Sequence, residues 1–149
     1  MKTVKKAIMM ALSLVGVTMA NGQTINSLGT MVFNDEGILF IGDNISGSIL
    51  AFDFKTEKQQ KRNFEINIYN IDARIASVLG TSPASVQVND IAVHPKSGEV
   101  YLSVTRGHGL DALPALVKVD STNQLTVIDI SQASVTSQSL SKLPSIEST

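Results

Sequence analysis

Two stretches of this chain, about 60 residues apart, carry the same strand–turn–strand pattern. Met31-Val32-Phe33-Asn34 aligns with Ile91-Ala92-Val93-His94, and Gly37 with Gly98, the second turn being one residue longer. Leu39-Phe40-Ile41 aligns with Val100-Tyr101-Leu102, and Ile49–Asp53 with Leu116–Asp120. A unit of short apolar runs separated by turns cannot bury its faces alone, so a repeat of this kind must stack against its neighbours. The chain is therefore constrained to an all-β architecture in which one sheet covers another.

The rest of the chain fits around that repeat. Met31–Phe33 stops at Asn34-Asp35-Glu36-Gly37, a strong turn signal, and Ile38–Ile41 stops at Gly42-Asp43-Asn44. Ser48–Phe54 alternates, with Leu50, Phe52 and Phe54 on one face. Lys55–Arg62 is a polar excursion, and Phe64, Ile66 and Ile68 alternate with polar residues, which predicts a fourth strand ending near Asn70. Ile71, Ile75, Val78 and Leu79 fall at helical spacing, with Gly80 as the stop. Ser82-Pro83 predicts a further short turn of helix. Strands are then expected over Val88–Val93, Val100–Val104, Ala115–Asp120 and Leu125–Ile130, with a long loop at Arg106–Pro114. The expected fold is two four-stranded antiparallel units, at about 27–70 and 86–130, with one short helix inserted at 71–79.

This arrangement resembles β-propeller blades. More narrowly, the stretches Met31–Asp43 and Asn89–Tyr101 resemble the secreted bacterial propeller proteins of the NHL, gluconolactonase-like and TolB-like kind. The resemblance covers most of residues 27–130, and it specifies the fold more than the function, because propellers host many activities. A propeller closes with about four to eight blades, whereas two are legible here, so an incomplete propeller is expected. Residues 131–149 are dominated by serine and lack the apolar alternation of a closing strand. The expectation is an N-terminal fragment whose two outer faces are apolar and uncovered, or a small chain that assembles into a ring.

The first 22 residues have the three parts of an export signal. Lys2, Lys5 and Lys6 precede an apolar run from Ala7 to Val17, and small residues follow at Thr18, Ala20 and Gly22. An uncleaved anchor is the alternative, but a membrane-spanning helix needs about 20 apolar residues and this run is shorter. Cleavage after Gly22 would lower Lys+Arg from 12 to 9 against 13 Asp+Glu, moving the net charge from −1 to −4. A mildly acidic domain is a poor partner for nucleic acid, which demands neutralised phosphates, and no integral membrane segment is expected after cleavage. With no cysteine, a lipoprotein anchor, a thiolate zinc site and a cysteine nucleophile are excluded.

Three sets of residues are candidates for chemistry. Asp90, Asn89 and Asp43 are oxygen donors at strand ends, suited to a hard cation such as calcium. The gluconolactonase-like resemblance implies such an ion at the mouth of the channel. The bland reading of Asp90 is a hydrogen bond to the backbone of a neighbouring blade. His94-Pro95 reads as a turn, with His94 in the place of Asn34. The loop Arg106-Gly107-His108-Gly109-Leu110-Asp111 holds a cation, an imidazole and a carboxylate. Arg106 suits an anionic ligand and His108 a general base. The bland alternative is a surface loop with an Arg106–Asp111 pair of little energetic weight. Asn44-Ile45-Ser46 fits a glycosylation sequon, taken here as incidental.

These features lead to two functional expectations. One is an exported, non-enzymatic binding module that presents its loops to a protein or glycan. The other is a metal-dependent, lactonase-like hydrolase with its site at the channel mouth. A truncated chain without independent function is a third.

Overall fold

The computed structural model describes residues 18–20, 23–55, 65–131 and 135–139. The described residues are mostly β, with two four-stranded antiparallel sheets, a two-stranded pair and one α-helix. The strands are β1 (Thr18–Ala20), β2 (Gln23–Ile25), β3 (Met31–Phe33), β4 (Ile38–Asp43) and β5 (Ser48–Asp53). Helix α1 (Ile71–Leu79) follows, and then β6 (Val86–Val93), β7 (Val100–Arg106), β8 (Leu113–Val119), β9 (Leu125–Ile128) and β10 (Val135–Ser139). β1 and β2 form a small antiparallel pair. The first sheet has the order β3-β4-β5-β10 and the second the order β6-β7-β8-β9. Among the described residues no helix is long and apolar enough to cross a membrane.

The aligned turns of the two sheets are built alike. Asn34 Oδ1 accepts the Glu36 and Ile38 N–H groups, and Gly37 takes φ +95°. In the second sheet the imidazole replaces the amide: His94 Nδ1 accepts the Lys96 and Ser97 N–H groups, and Gly98 takes φ +75°. A third copy closes β8–β9, where Asp120 Oδ1 accepts from Thr122 and Gln124 and Asn123 takes φ 61°. Each is a side-chain acceptor that binds N–H groups two to four residues further on, the geometry that makes Asn and Asp frequent turn-formers.

The core lies between the sheets. Leu39, Ile41, Leu50 and Phe52 of the first sheet meet Ala92, Tyr101 and Leu116 of the second, and Ile25 and Leu28 fill in beneath β3. An aromatic chain runs through it. Tyr101 packs on Phe33 and Phe54 at ring separations of 5.2 and 4.9 Å, and Phe33 meets the His94 ring at 5.0 Å. His94 is fully buried and reaches the first sheet through Nε2, which lies 3.2 Å from the Phe54 carbonyl oxygen. Because Nδ1 accepts two backbone N–H groups, Nε2 carries the proton and donates.

Three expectations need correction. The predicted fourth strand of the first unit does not form, since residues 65–70 pair with no strand. Ile66 and Ile68 instead pack on the far face of the second sheet, beside α1. Alternation marks an extended segment with one apolar side; it does not name the segment's hydrogen-bonding partner. The place beside β5 goes to β10, with Val135 opposite Phe52 and Ser139 opposite Ser48. A serine-rich run therefore supplies the closing strand, because backbone pairing along an outer edge needs no apolar stripe.

The third correction concerns the outer faces. Val100, Leu102, Val104, Val117 and Val119 point away from the first sheet and are buried under α1 and the 65–71 segment, with Ile75 fully enclosed. The helix is held there by Asn123, whose carbonyl accepts from Arg74 and whose side chain accepts from the Asn67 N–H. One far face is thus covered from within the chain. The far face of the first sheet still exposes Val32 and Ile49. The predicted apolar run at 7–17, most of the polar excursion and the end of the serine-rich tail lie outside the described residues.

Candidate functional site

The β2–β3 segment, the β4–β5 turn, the start of β6 and the β7–β8 loop come together around two clefts. Three side chains of the second sheet take hold of the β2–β3 segment. Asn89 Nδ2 donates to the Leu28 carbonyl at 2.8 Å, Ser103 Oγ to the Gly29 carbonyl at 2.8 Å, and Asp90 Oδ2 accepts the Met31 N–H at 2.7 Å. A register shift between Val88 and Asp90 aims Asn89 at this segment, and its amide also donates to Thr105 Oγ1. Asn89 and Asp90, read from sequence as possible cation ligands, are thus placed as bonds between the sheets. Asp90 does what its bland reading expected, on the backbone of the first sheet.

Asp43 is placed just beneath, at the end of β4, with only 2 % of its surface exposed. Its carboxylate accepts from the Asn26 N–H, the Ser27 hydroxyl, the Ile45 and Ser46 N–H groups and the Ser46 hydroxyl. Burial pushes its pKa up, but hydrogen bonds from Asn26, Ser27 and Ser46 outweigh that and hold it below the ordinary 3.8. The group therefore stays ionised and clamps the β4–β5 turn to the segment after β2. Among the described residues no three His, Asp or Glu side chains gather as a metal-binding group.

Acid should reveal this clamp. On acidification the unfolded chain takes up its proton first, so the stabilisation is whole above about pH 4 and fades as pH falls through the folded-state value. Asp43→Asn is expected to flatten the acid limb of a urea-midpoint-against-pH profile and to cost about 2 kcal/mol at neutral pH. An unchanged acid limb would assign that limb to other carboxylates.

Above the clamp a groove opens between the sheets as two adjoining clefts of 330 and 380 Å³, which share Ser27, Ile45 and Thr105. Both lie in the size range of small-molecule and peptide pockets. Among the described residues, every one lining them is uncharged and none is aromatic. The β4–β5 turn supplies Asn44 and Ile45, β6 supplies Gln87, and the β7–β8 loop supplies Leu110, with Leu113 and Pro114 behind it. Ile45 is 73 % exposed and Leu110 fully so, standing at the rim. A Cβ added at Gly29 would come within 2.8 Å of the Asn44 amide nitrogen and 3.2 Å of the Gly42 carbonyl oxygen, so the Asn44 side chain would have to move aside. The side chains of Asn44 and Gln87 make no hydrogen bond among the described residues.

The loop singled out in sequence borders this groove, but its charged members do not line it. Arg106 ends β7, exposed, in register with Val86 and Leu113. His108 is exposed, with Nε2 3.0 Å from the Ala84 carbonyl oxygen, and so ties the loop to the short 3-10 turn at Pro83–Ser85. Asp111 closes a second 3-10 turn, Gly109–Asp111, and forms no ion pair with Arg106 among the described residues. What the loop brings to the groove is Leu110 and backbone. Sequence reasoning met Asn44 only in a sequon and Leu110 only as a spacer in the loop, and passed over Gln87; a fully exposed leucine is conspicuous only once the fold is known. No family model matches this chain, and no curated protein or solved structure matches it.

Proposed function

We propose that this chain is an exported, non-enzymatic binding module, built as two propeller-like blades, whose ligand sits in the groove at the loop end of the sheets. The reading rests on one observation above all: an uncharged groove whose rim leucine and isoleucine are exposed and whose Asn44 and Gln87 amides are unused by the fold. Exposed aliphatic side chains beside amides left free to bond a ligand are the combination that ligand sites use, apolar contact for affinity and a few polar groups for orientation. The blade reading is supported by the four-strand meander β6–β9, by the matching turns at Asn34 and His94, and by the packing of β3 beside β6. Export is supported by the lysines, apolar run and small residues of the first 22 positions.

Both halves of the proposal have direct tests. Intact-mass measurement of chain recovered outside the producing cytoplasm should show removal of the first 20 or 22 residues; a full-length mass would refute the signal. Mapping with small organic probes such as acetamide and isopropanol, read by side-chain amide NMR, should place them in the groove and shift Asn44 and Gln87. Probes clustering elsewhere would move the site.

A further inference from the structure

Resting on the groove reading just given, we infer that the ligand is an extended, uncharged peptide segment of a partner protein, bearing aliphatic side chains. Charge complementarity is the first argument. Among the described residues no Lys, Arg, His, Asp or Glu lines either cleft, so a phosphate, a chain terminus or a charged side chain seated there would meet no opposite charge in the lining. The second argument separates peptide from sugar. A sugar ring presents a face of C–H groups that packs best on an aromatic ring, and no aromatic side chain lines the groove.

What the groove does offer matches a peptide unit. Each amide of Asn44 and Gln87 has an acceptor oxygen and two N–H donors, so each can bond a backbone N–H and a backbone C=O together. The two amides come from different sheets, one on the β4–β5 turn and one on β6, and both line the same cleft. Ile45 and Leu110 stand exposed at the rim, where alternate side chains of an extended peptide would fall. Strand addition to the floor is not the mode: the Leu28, Gly29 and Thr30 carbonyls already accept from Asn89, Ser103 and the Gly42 N–H. Recognition therefore falls on the side-chain amides and the two rim aliphatics.

The test uses the full mature chain, labelled with 15N and at Leu and Ile methyl groups. The probes are an acetylated, amidated hexapeptide of alternating leucine and serine, the same peptide with two serines changed to aspartate or to lysine, and maltohexaose and cellohexaose. The neutral peptide should shift the Asn44 and Gln87 side-chain amides and the Leu110 methyls saturably. The charged peptides should bind at least about tenfold more weakly, and Asn44→Ala with Leu110→Ser should weaken the neutral peptide at least about tenfold with the thermal midpoint unchanged. Saturable shifts from an oligosaccharide but not from the peptide would overturn the peptide assignment and leave the groove as the site. Shifts of the same groups on raising protein concentration alone would overturn it in favour of a second copy of this chain. Silence at these groups from every probe would overturn both the assignment and the groove reading.

Discussion

Tyr101→Ala is expected to remove about 3–5 kcal/mol of stability, the range for deleting a large buried ring. Tyr101 has no exposed surface, stands on β7 and packs on Phe33 and Phe54, so it joins the second sheet to the aromatic chain of the first. Against a typical total of about 5–15 kcal/mol, that is about a fifth of the whole at the least. The loss should appear in urea denaturation followed by far-UV circular dichroism as a lower midpoint and a single transition, because both sheets share this core. Tyr101→Phe keeps the ring and should lose only about 1 kcal/mol. A loss below about 1 kcal/mol for Tyr101→Ala, or the appearance of a second transition, would mean that the sheets are stabilised separately.

His94→Ala should cost nearly as much, about 3 kcal/mol, but by a different route. The imidazole is buried, accepts the Lys96 and Ser97 N–H groups at Nδ1 and donates from Nε2 to the Phe54 carbonyl. Alanine leaves all three backbone groups without their partner and opens a hole against Phe33. The first sheet supplies the control: Asn34 performs the same turn with an amide, so His94→Asn should restore the two turn bonds, leave Phe54 unpaired, and recover about half the loss. Gly37→Ala should fail separately, since its φ is +95° and an added Cβ would lie 2.7 Å from His94 Nε2. Urea midpoints of the three variants decide the matter. If His94→Asn were no better than His94→Ala, the bond to Phe54 would carry the whole effect and the turn none.

Much of the strand framework was legible from residue pattern alone. Helix α1 has the bounds that Ile71, Ile75, Val78, Leu79 and Gly80 announce, and β3, β4, β5 and the β6–β9 series fall where their apolar runs do. The turn role of His94 was readable from its alignment with Asn34. The candidate site was far less legible. Asp43, Asn89 and Asp90 were visible as oxygen donors, but a carboxylate looks the same in sequence whether it awaits a cation or is already filled with hydrogen bonds. Arg106 and His108 drew attention by chemical type, while the loop presents Leu110 to the groove.

Local pattern by itself determined helix α1, the strands β3–β9, where their turns fall and which positions are apolar, because those depend on neighbours within a few residues and on the periods of helix and strand. Only the tertiary structure decided what each apolar face meets. It spent Ile66 and Ile68 under the second sheet with α1, gave the edge of β5 to the distant Val135–Ser139, and buried His94 between the sheets. Pairing partners and covering faces are chosen by free energy summed over contacts far apart in the chain, and no short stretch of sequence contains that sum.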